Sequence, residues 1–441
     1  MQSADTLVPN SDNELLELSK RDRRKRMTAV GIGNFMEWFD FAIYGYFAAI
    51  IGAQFFPSGD PTAEMLSALA VFAVGFLSRP IGALFLGPIG DKFGRRTVLI
   101  ITVLGMGVIT TLIGLTPSYA AIGIAAPIIV VALRLLQGMM VGGEWTSAAA
   151  YIGESAPKAK RGLFASLVTA TAGLAFLVGT LTAALLSAAM SEESLSSWGW
   201  RLPFLASFIM AIVAVYIRRK LEDTPVYQEL ERKRANNTVE VTSFSLKARA
   251  FIMTLAFSGI FGVSLYYFVT YANNHLTGAV GMARVEALIA TGSAIVVYVL
   301  FNPLVGAISD RIGRRPVLLT GVIGLIVWAL PTFFLMNTGV PFLAFLGLVV
   351  FSFFVACCAV MNNVLLVEVF PASIRSTGSA IGYNLAYALL AGPGPLIAAA
   401  LVASTGLLHA PAFYVIAVAV VALAVLWPML KETKNVDISH G

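Results

Sequence analysis

The stretch Gly-Pro-Ile-Gly-Asp-Lys-Phe-Gly-Arg-Arg, from Gly87 to Arg96, returns about half a chain later as Gly-Ala-Ile-Ser-Asp-Arg-Ile-Gly-Arg-Arg, from Gly306 to Arg315. Each copy lies between two long apolar runs and combines an acid, a glycine and two adjacent arginines in a segment too short to be a domain. The repeat predicts a chain of two similar halves, each with a tight charged loop at a membrane surface.

The composition indicates that most of the chain lies in lipid or against other apolar segments. Apolar residues make up 58% of the sequence and charged residues only 12%, against about 25% charged in soluble domains. The net charge is +6, but the basic residues are confined to short loops, which favours an anionic membrane surface over nucleic acid as their partner. The neighbours Cys357 and Cys358 lie within an apolar run, where buried thiols are expected rather than a disulfide.

Twelve apolar runs have the length of a membrane-spanning helix, which needs about 20 residues. They cover residues 28–50, 66–88, 97–115, 128–152, 162–188, 202–217, 250–273, 285–308, 317–336, 342–367, 377–403 and 411–430. We therefore predict an all-α membrane protein with a cytoplasmic segment 1–27, a six-helix bundle 28–217, a cytoplasmic linker 218–249, a second six-helix bundle 250–430 and a cytoplasmic tail 431–441.

The distribution of lysine and arginine predicts which side of each span is cytoplasmic, because basic residues concentrate in cytoplasmic loops. With both chain ends placed inside the cell, only Arg79 and Arg134 fall within spans, and only Arg201 and Arg284 fall in outer loops. All other basic residues lie in the predicted cytoplasmic segments. We expect a multi-pass protein of the plasma or inner membrane that works as a monomer. The linker is interpreted as a tether, with a regulatory role as the alternative.

A second repeated pattern supports two equivalent halves. Glu154, Pro157 and Arg161 follow the fourth run with the same spacing as Glu368, Pro371 and Arg375 after the tenth. Carboxylates and arginines at the water boundary can pair when that face closes, and an acid can face the positive N-terminal end of a helix. The expected cytoplasmic gate comprises Gly87, Asp91, Gly94, Arg95, Arg96, Glu154, Arg161, Asp310, Gly313, Arg314, Arg315, Glu368 and Arg375. A purely topological role for these residues stays open.

These motifs resemble the signature of the major facilitator superfamily, whose members are two six-helix bundles around a central solute path. Further stretches are similar to its metabolite:proton symporter branch, which includes permeases for α-ketoglutarate, citrate, shikimate, and proline or betaine. These stretches are Gly33 to Phe41, Arg79 to Gly82, Gln137-Gly138 with Gly142 to Glu144, Trp198 to Phe204, and Leu221 to Pro225. Osmosensing proline/betaine members can carry a long C-terminal coiled coil; only Lys431 to Gly441 follow the last run here, so osmotic sensing of that kind is not expected.

Charged residues inside the N-terminal bundle are the first candidates for function, because a charge in hydrocarbon is costly and normally faces a cavity or a partner. Glu37, Asp40 and Glu144 are the candidate proton carriers. Arg79 and Arg134, with Tyr44 and Gln137 beside them, are candidates for counter-charges or for binding a substrate carboxylate. The alternatives are a fixed structural pairing of the two acids of the first span with Arg79, and a role of Arg134 in organising its helix with Gln137. Trp38 is interpreted as a packing residue.

The C-terminal bundle carries uncharged polar and aromatic side chains instead. They are Tyr266, Tyr267, Tyr271, Asn273, Asn274, Asn302, Asn362, Asn363, Tyr383 and Asn384. Such groups can orient a polar solute or surround a quaternary ammonium, and we expect Tyr267, Tyr271, Asn362 and Asn384 to bind the substrate; structural contacts between helices are the alternative. Residues Gly392 to Pro395 interrupt the eleventh run. His275 is placed in an outer loop, with no coupling role.

The sequence contains no phosphate-binding loop, no metal-binding spacing of Cys or His and no nucleotide domain, so neither an enzyme nor a cofactor is predicted and an ion gradient must supply the energy. We expect a secondary transporter that imports a small solute with a proton by alternating access. The first interpretation of the solute is a dicarboxylate or keto acid, if Arg79 or Arg134 is free of acidic neighbours. The alternatives are a zwitterionic osmolyte such as proline or betaine, a proton-coupled exporter, and a non-transporting sensor.

Overall fold

The computed structural model of the chain describes residues 20–93, 95–142, 145–146, 148–149, 152, 156–218, 244–370, 375–434 and 436. The described residues are almost entirely helical. The helices of the N-terminal bundle are Lys20–Tyr46, Ala48–Phe55, Pro61–Leu77, Arg79–Phe93, Arg95–Leu115, Tyr119–Ile122, Ala125–Val141, Lys158–Lys160, Arg161–Ala189, Glu192–Ser194, Leu195–Gly199 and Arg201–Arg218. Those of the C-terminal bundle are Phe244–Tyr266, Tyr267–Tyr271, Ala272–Asn274, His275–Ala279, Arg284–Ile312, Arg314–Met336, Pro341–Glu368, Arg375–Ala386, Tyr387–Ala391, Gly394–Thr405 and Ala410–Met429.

Each of the twelve apolar runs corresponds to one helix or to one helix with a break, and we refer to them as the first to the twelfth span. Within the described residues, eight helical stretches are long and apolar enough to cross a membrane, or nine if the bent pair Glu192–Gly199 and Arg201–Tyr216 is one span. The remaining three are Lys20–Tyr46, Arg95–Leu115 and Ala125–Val141. The architecture is therefore the expected all-α membrane fold of twelve spans in two bundles.

Two helices begin earlier than the apolar runs predict. The first span starts at Lys20 rather than at residue 28, and the seventh starts at Phe244 rather than at residue 250. Hydrogen bonding within a helix does not stop where the side chains become polar, so a basic or polar turn can extend the helix beyond the apolar run. Most of the predicted linker, residues 219–243, lies outside the described residues.

The two bundles contact each other most closely where the fifth span crosses the eighth. Gly162 and Gly306 face each other there, and a Cβ atom on Gly162 would lie 2.6 Å from the carbonyl oxygen of Gly306. Gly306 opens the second copy of the repeated motif, so the motif's first glycine permits a backbone approach that no larger residue allows. A second crossing brings Phe76 of the second span against Gly392 of the eleventh.

Three spans deviate from regular α-helix near the centre of the molecule. The second span breaks at Ser78, and a new helix starts with Arg79 and Pro80 at the positions where proline is tolerated. The seventh and eleventh spans each contain a π-helical turn, Tyr267–Tyr271 and Tyr387–Ala391. Such turns are rare and frequently mark functional sites.

Candidate functional site

A buried ion pair lies at the centre of the N-terminal bundle. Arg79 Nη2 lies 3.4 Å from Glu37 Oε1, and both side chains are almost fully buried. The helix break before Pro80 places Arg79 at the start of a new helix. Its guanidinium carbon lies 4.4 Å from the ring centroid of Phe76 and 4.8 Å from that of Phe41. Among the described residues, the cation is therefore balanced by one carboxylate and lies against aromatic faces, which offset part of the cost of burying it.

Aromatic side chains from both bundles meet beside this ion pair. We call Trp38, Trp145, Tyr266, Tyr383 and Tyr387 the aromatic box; all five are buried. Trp38 contacts Trp145 at 5.1 Å between ring centroids and Tyr266 at 6.2 Å, Trp145 stacks on Tyr383 at 6.1 Å, and Tyr383 and Tyr387 are 4.2 Å apart. The box therefore joins the first and fourth spans to the seventh and eleventh.

The sequence interpretation identified only part of the aromatic box. The sequence predicts only a packing role for Trp38 and does not distinguish Trp145 and Tyr387, because aromatic residues are common in apolar spans. The interruption of the eleventh run at Gly392 to Pro395, shortly after Tyr387, is the sequence signal that could have identified this residue.

Asp40 lies on another face of the first span, in a separate buried network. Its Oδ2 accepts a hydrogen bond from the hydroxyl of Thr110 at 2.6 Å, and its Oδ1 accepts one from the hydroxyl of Ser207 at 2.7 Å. Thr110 in turn accepts from Gln137 Nε2 at 2.7 Å, and Arg134 donates to Gln137 Oε1. Asp40 and Arg134 are thus joined through two neutral side chains, and no ion pair of Asp40 occurs among the described residues.

Arg134 and Tyr44 complete this second network. The guanidinium carbon of Arg134 lies 3.6 Å from the ring centroid of Tyr44, whose hydroxyl donates to the carbonyl oxygen of Ala68. Tyr44 and Gln137 therefore contact Arg134 rather than the aromatic box. Glu37 and Asp40, three residues apart on one helix, therefore belong to different sites. One alternative from the sequence placed both acids in a fixed pairing with Arg79, but only Glu37 lies next to Arg79.

The expected binding residues of the C-terminal bundle are distributed over several contacts. Tyr267 and Tyr271 contact each other with tilted rings, and both contact Phe333. Asn362 accepts a hydrogen bond from Ser258. Asn384 donates to the carbonyl oxygen of Gly142 and so links the two bundles. None of these contacts is with the aromatic box.

The placement of His275 in an outer loop is wrong. The seventh span continues as helix through Ala279, and His275 is buried within it. Its Nε2 lies 2.7 Å from Asn337 Oδ1, and its Nδ1 lies 3.4 Å from the Tyr271 hydroxyl. The error arose because the run of polar residues Asn273 to His275 resembles a helix end, whereas side-chain hydrogen bonds of Asn274 and His275 keep these groups inside the helix.

The end of the molecule that carries the second repeated motif is held closed by contacts between the bundles; we call it the motif face. Asp310 of the eighth span accepts hydrogen bonds from the backbone N–H groups of Gly162 and Leu163, at 2.8 and 2.9 Å. Its carboxylate therefore caps the N-terminus of the fifth span, where the helix dipole favours a negative charge. Arg314 Nη1 lies 2.8 Å from the same carboxylate.

A second cluster on the motif face surrounds Glu368. Arg161 of the fifth span lies 3.7 Å from its carboxylate, and Arg314 of the ninth span lies 3.5 Å from it. Arg375 Nε donates to the carbonyl oxygen of Phe370. Arg315, half-buried, donates to the carbonyl oxygen of Trp427.

The C-terminal tail adds to these contacts in a way that the sequence interpretation missed. Glu432 accepts hydrogen bonds from the backbone N–H groups of Arg314 at 2.8 Å and Arg315 at 3.2 Å, and so caps the ninth span. Thr433 donates to Glu368 at 2.6 Å, and Arg161 donates to the carbonyl oxygen of Val436. The tail therefore contacts gate residues of both bundles.

Several expected gate and coupling residues cannot be compared with the structure. Glu144, Gly94 and Glu154 lie outside the described residues, as do the side chains of Asp91, Arg95 and Arg96 and the surroundings of Gly87. Among the residues that are described, no three His, Cys, Asp or Glu side chains are grouped so that they could hold a metal ion.

Contacts between the bundles also occur on the other side of the central ion pair. Asn274 Nδ2 donates to the carbonyl oxygen of Gly45 at 3.1 Å, and a Cβ atom on Gly45 would clash with Thr270. Since Glu37 and Arg79 are buried and the bundles touch on both sides of them, this structure encloses the centre from both faces.

Comparison with known proteins identifies the family. The family described as Sugar (and other) transporter matches residues 27–249, and the Major Facilitator Superfamily matches residues 268–440. The chain belongs to the major facilitator superfamily. It is therefore a multi-pass membrane transporter of small molecules and not an enzyme.

Relatives in this superfamily differ in the solutes that their names give. The chain is 36% identical over 422 residues to the proline/betaine transporter of Salmonella typhimurium, covering 93% of this chain and 84% of that protein. It is 35% identical over 431 residues to the alpha-ketoglutarate permease of Escherichia coli K12, covering 96% and 98%. A structure of the proton:xylose symporter XylE matches with a TM-score of 0.76 at 18% identity over 94% of this chain and 97% of that one, which supports the fold alone.

Proposed function

We propose that this protein imports a small zwitterion of the proline or betaine class together with a proton, by alternating access between the two bundles. One observation carries the choice of solute: neither buried arginine is free of a partner. Arg79 is paired with Glu37 and Arg134 is bonded to Gln137. The anion interpretation required an arginine without an acidic neighbour. Arg79 does not meet this condition, and Arg134, whose partner Gln137 is neutral, belongs to the Asp40 network rather than to the aromatic box. An ion pair without net charge beside the aromatic box suits a solute without net charge.

The relatives favour the same solute class. Proline/betaine transporters from several bacteria are similar to this chain over more than nine-tenths of its length. The alpha-ketoglutarate permease covers as much of the chain, so a carboxylate solute is the second candidate. The zwitterion accounts for both the paired arginine and the aromatic box, because aromatic faces bind quaternary ammonium groups.

Asp40 is the proposed proton carrier. Its carboxylate is fully buried and is hydrogen-bonded by two hydroxyl groups, which can serve either protonation state because a hydroxyl both donates and accepts. Glu37, by contrast, faces a permanent cation, which holds it ionised. The proton is the only coupling ion in this proposal, and no cofactor takes part.

The motif face is the proposed cytoplasmic face, since its loops and the preceding basic segment carry most of the lysines and arginines. In this orientation both chain ends are cytoplasmic, and the contacts of Asp310, Glu368 and Glu432 form the cytoplasmic gate. A single chain contains all the parts, so a monomer suffices for transport.

Uptake into proteoliposomes tests the proposal. Radiolabelled glycine betaine, proline, α-ketoglutarate, citrate and shikimate are supplied with and without an inward proton gradient. We expect accumulation of a zwitterion that a protonophore abolishes. Accumulation of α-ketoglutarate alone would establish the second candidate. Loss of a preloaded solute that accelerates on external acidification would identify an exporter, and binding without any accumulation would identify a sensor.

A further inference from the structure

The central ion pair and the aromatic box together contain the groups that a zwitterion needs. Arg79 can face its carboxylate, and Glu37 and the aromatic rings can face its cationic group. Glu37 supplies a carboxylate and Arg79 supplies a cation, and the cation lies over aromatic rings of both bundles: Phe76 at 4.4 Å and Tyr387 at 5.9 Å. The carboxylate of Glu37 and the guanidinium of Arg79 are buried side by side. This is the charge pattern of a small amino acid or betaine, built from the protein's own side chains.

Arg79 and two members of the aromatic box retain capacity for a further ligand. The guanidinium nitrogens of Arg79 make no hydrogen bond to a described residue, although each is buried. Trp145 Nε1 and the hydroxyl of Tyr266 also lack a hydrogen-bond partner among the described residues. Buried polar groups without partners are rare in folded proteins and call for an explanation such as a ligand.

The three tyrosines of the aromatic box connect the ion pair to the second bundle. The guanidinium carbon of Arg79 lies 5.9 Å from the ring centroid of Tyr387, and the Tyr387 ring contacts those of Tyr266 and Tyr383, at 6.1 and 4.2 Å between centroids. A molecule that entered between the two charged groups would therefore contact the first and second spans on one side and the seventh and eleventh on the other. Such a contact set depends on the relative position of the bundles, as alternating access requires.

We propose that the solute binds by inserting between Glu37 and Arg79, with its carboxylate on Arg79 and its cationic group between Glu37 and the aromatic box. This inference rests on the proposed function. In the absence of solute the two side chains satisfy each other. A zwitterion replaces each partner with a group of the same charge, whereas a plain anion separates Glu37 from Arg79 without supplying a cation, and a plain cation separates Arg79 from Glu37 without supplying a carboxylate. Since an unpaired buried charge is strongly unfavourable, the ion pair itself selects for zwitterions.

Three ligands of related shape test this selection. Glycine betaine carries both charges. The anion tert-butylacetate keeps the carboxylate and the shape but has an uncharged tert-butyl group in place of the trimethylammonium group. Choline has the cation without the carboxylate. Binding to the purified full-length protein is followed by calorimetry and by the fluorescence of the tryptophans. For the wild type we expect tert-butylacetate and choline to bind at least about tenfold more weakly than glycine betaine, because each separates the Glu37–Arg79 ion pair but replaces only one of its two charges.

The variant Glu37→Gln provides the decisive comparison. It leaves Arg79 without its carboxylate partner, so glycine betaine should bind at least about tenfold more weakly and tert-butylacetate at least about tenfold more tightly than to the wild type. Glu286→Gln, an exposed carboxylate at the start of the eighth span, is the matched control and should change neither.

A second variant covers the case in which Glu37→Gln does not fold. Tyr383→Leu removes one face of the aromatic box and should weaken glycine betaine about tenfold while leaving the weak binding of tert-butylacetate unchanged. Wild-type protein that binds glycine betaine and tert-butylacetate equally well overturns the inference and leaves the proposed function standing. Wild-type protein that binds and transports no zwitterion contradicts the proposed function itself.

Discussion

At the scale of single residues, the membrane-embedded charges separate into two sites with different chemistry. Glu37 and Asp40 are three residues apart, yet one faces a cation and the other faces two hydroxyl groups. An ion pair resists protonation, whereas a buried carboxylate among neutral partners can exist in either form. On this division rests our proposal that Glu37 takes part in solute binding and Asp40 in proton transfer.

Asp40→Asn should separate coupling from transport. Asparagine keeps the size and can still bond to Thr110 and Ser207, but it cannot change protonation. We expect uptake driven by a proton gradient to fall to the level of empty liposomes, while exchange of labelled for unlabelled solute continues. Both are measured in the same proteoliposomes, with Glu286→Gln as the control. Proton-driven accumulation by the Asp40→Asn protein would exclude Asp40 as the carrier.

The sequence alone identifies Glu37, Asp40, Arg79 and Arg134, because a charge in hydrocarbon is costly enough to imply a function. It does not identify Thr110 or Trp145. Hydroxyl and aromatic side chains are ordinary components of apolar spans, and their importance here depends on which other span they face. A single sequence contains no record of those neighbours.

At the scale of helices, Gly313 ends the eighth span and begins the ninth in a conformation that only glycine adopts easily. Its φ is +108°, and a Cβ atom there would clash with the carboxylate of Glu432. Gly313→Ala should lower the stability of the protein by about 1–3 kcal/mol through backbone strain, plus the cost of displacing the tail. Thermal unfolding in detergent measures the loss.

A double variant separates the two costs. Glu432→Ala by itself removes the helix cap, at about 1 kcal/mol. In the Gly313→Ala background its cost should be smaller, because the clash has already displaced the carboxylate. Strict additivity of the two changes would show that the tail does not contact Gly313 in solution.

The cap formed by Glu432 should also depend on pH. Burial alone raises the pKa of this carboxyl, but the backbone N–H groups of Arg314, Lys434, Arg315 and Thr433 outweigh burial and hold the pKa below the usual value. A lowered pKa means that the ionised form stabilises the folded protein above the usual glutamate pKa, and that this stability is lost as the pH falls through the folded-state pKa.

Glu432→Gln therefore should be less stable than the wild type at neutral pH, by about 1 kcal/mol. The difference should shrink as the pH falls below about 4.5, the ordinary pKa of glutamate. Melting temperatures of both proteins across pH 3 to 7 provide the measurement. A difference that stays constant over that range contradicts an electrostatic cap.

The helices themselves follow closely from the sequence, since the apolar runs and the repeated motif predicted twelve spans in two halves. The role of the tail did not follow. Glu432 is one of several acids in a polar segment, and it caps the ninth span only because the twelfth returns the chain to the motif face. His275 shows the same limit, because its hydrogen bonds with the amide oxygen of Asn337 and the hydroxyl of Tyr271 keep it inside a helix.

At the scale of the whole molecule, the motif face is closed by a few contacts between the bundles, and removing one of them should shift the balance of conformations. Asp310 contributes a helix cap from one bundle to the other. Its replacement by Asn removes the charge and weakens two hydrogen bonds, at about 1 kcal/mol, which corresponds to about a fivefold change in an equilibrium constant. Conformations open on the motif face should become about fivefold more populated.

Cysteine accessibility measures this shift. Asn363 is buried between the bundles, where it donates to the carbonyl oxygen of Ala165. The reporter is Asn363→Cys, made in a background with Cys357 and Cys358 replaced by alanine. This cysteine should react with an alkylating reagent only when the motif face is open. We expect Asp310→Asn to raise its reaction rate about fivefold and Glu286→Gln, on the opposite face, to leave it unchanged. Equal rates in all three proteins would show that the capping contact does not hold the bundles together, and closure would then rest on the Glu368 cluster and the tail.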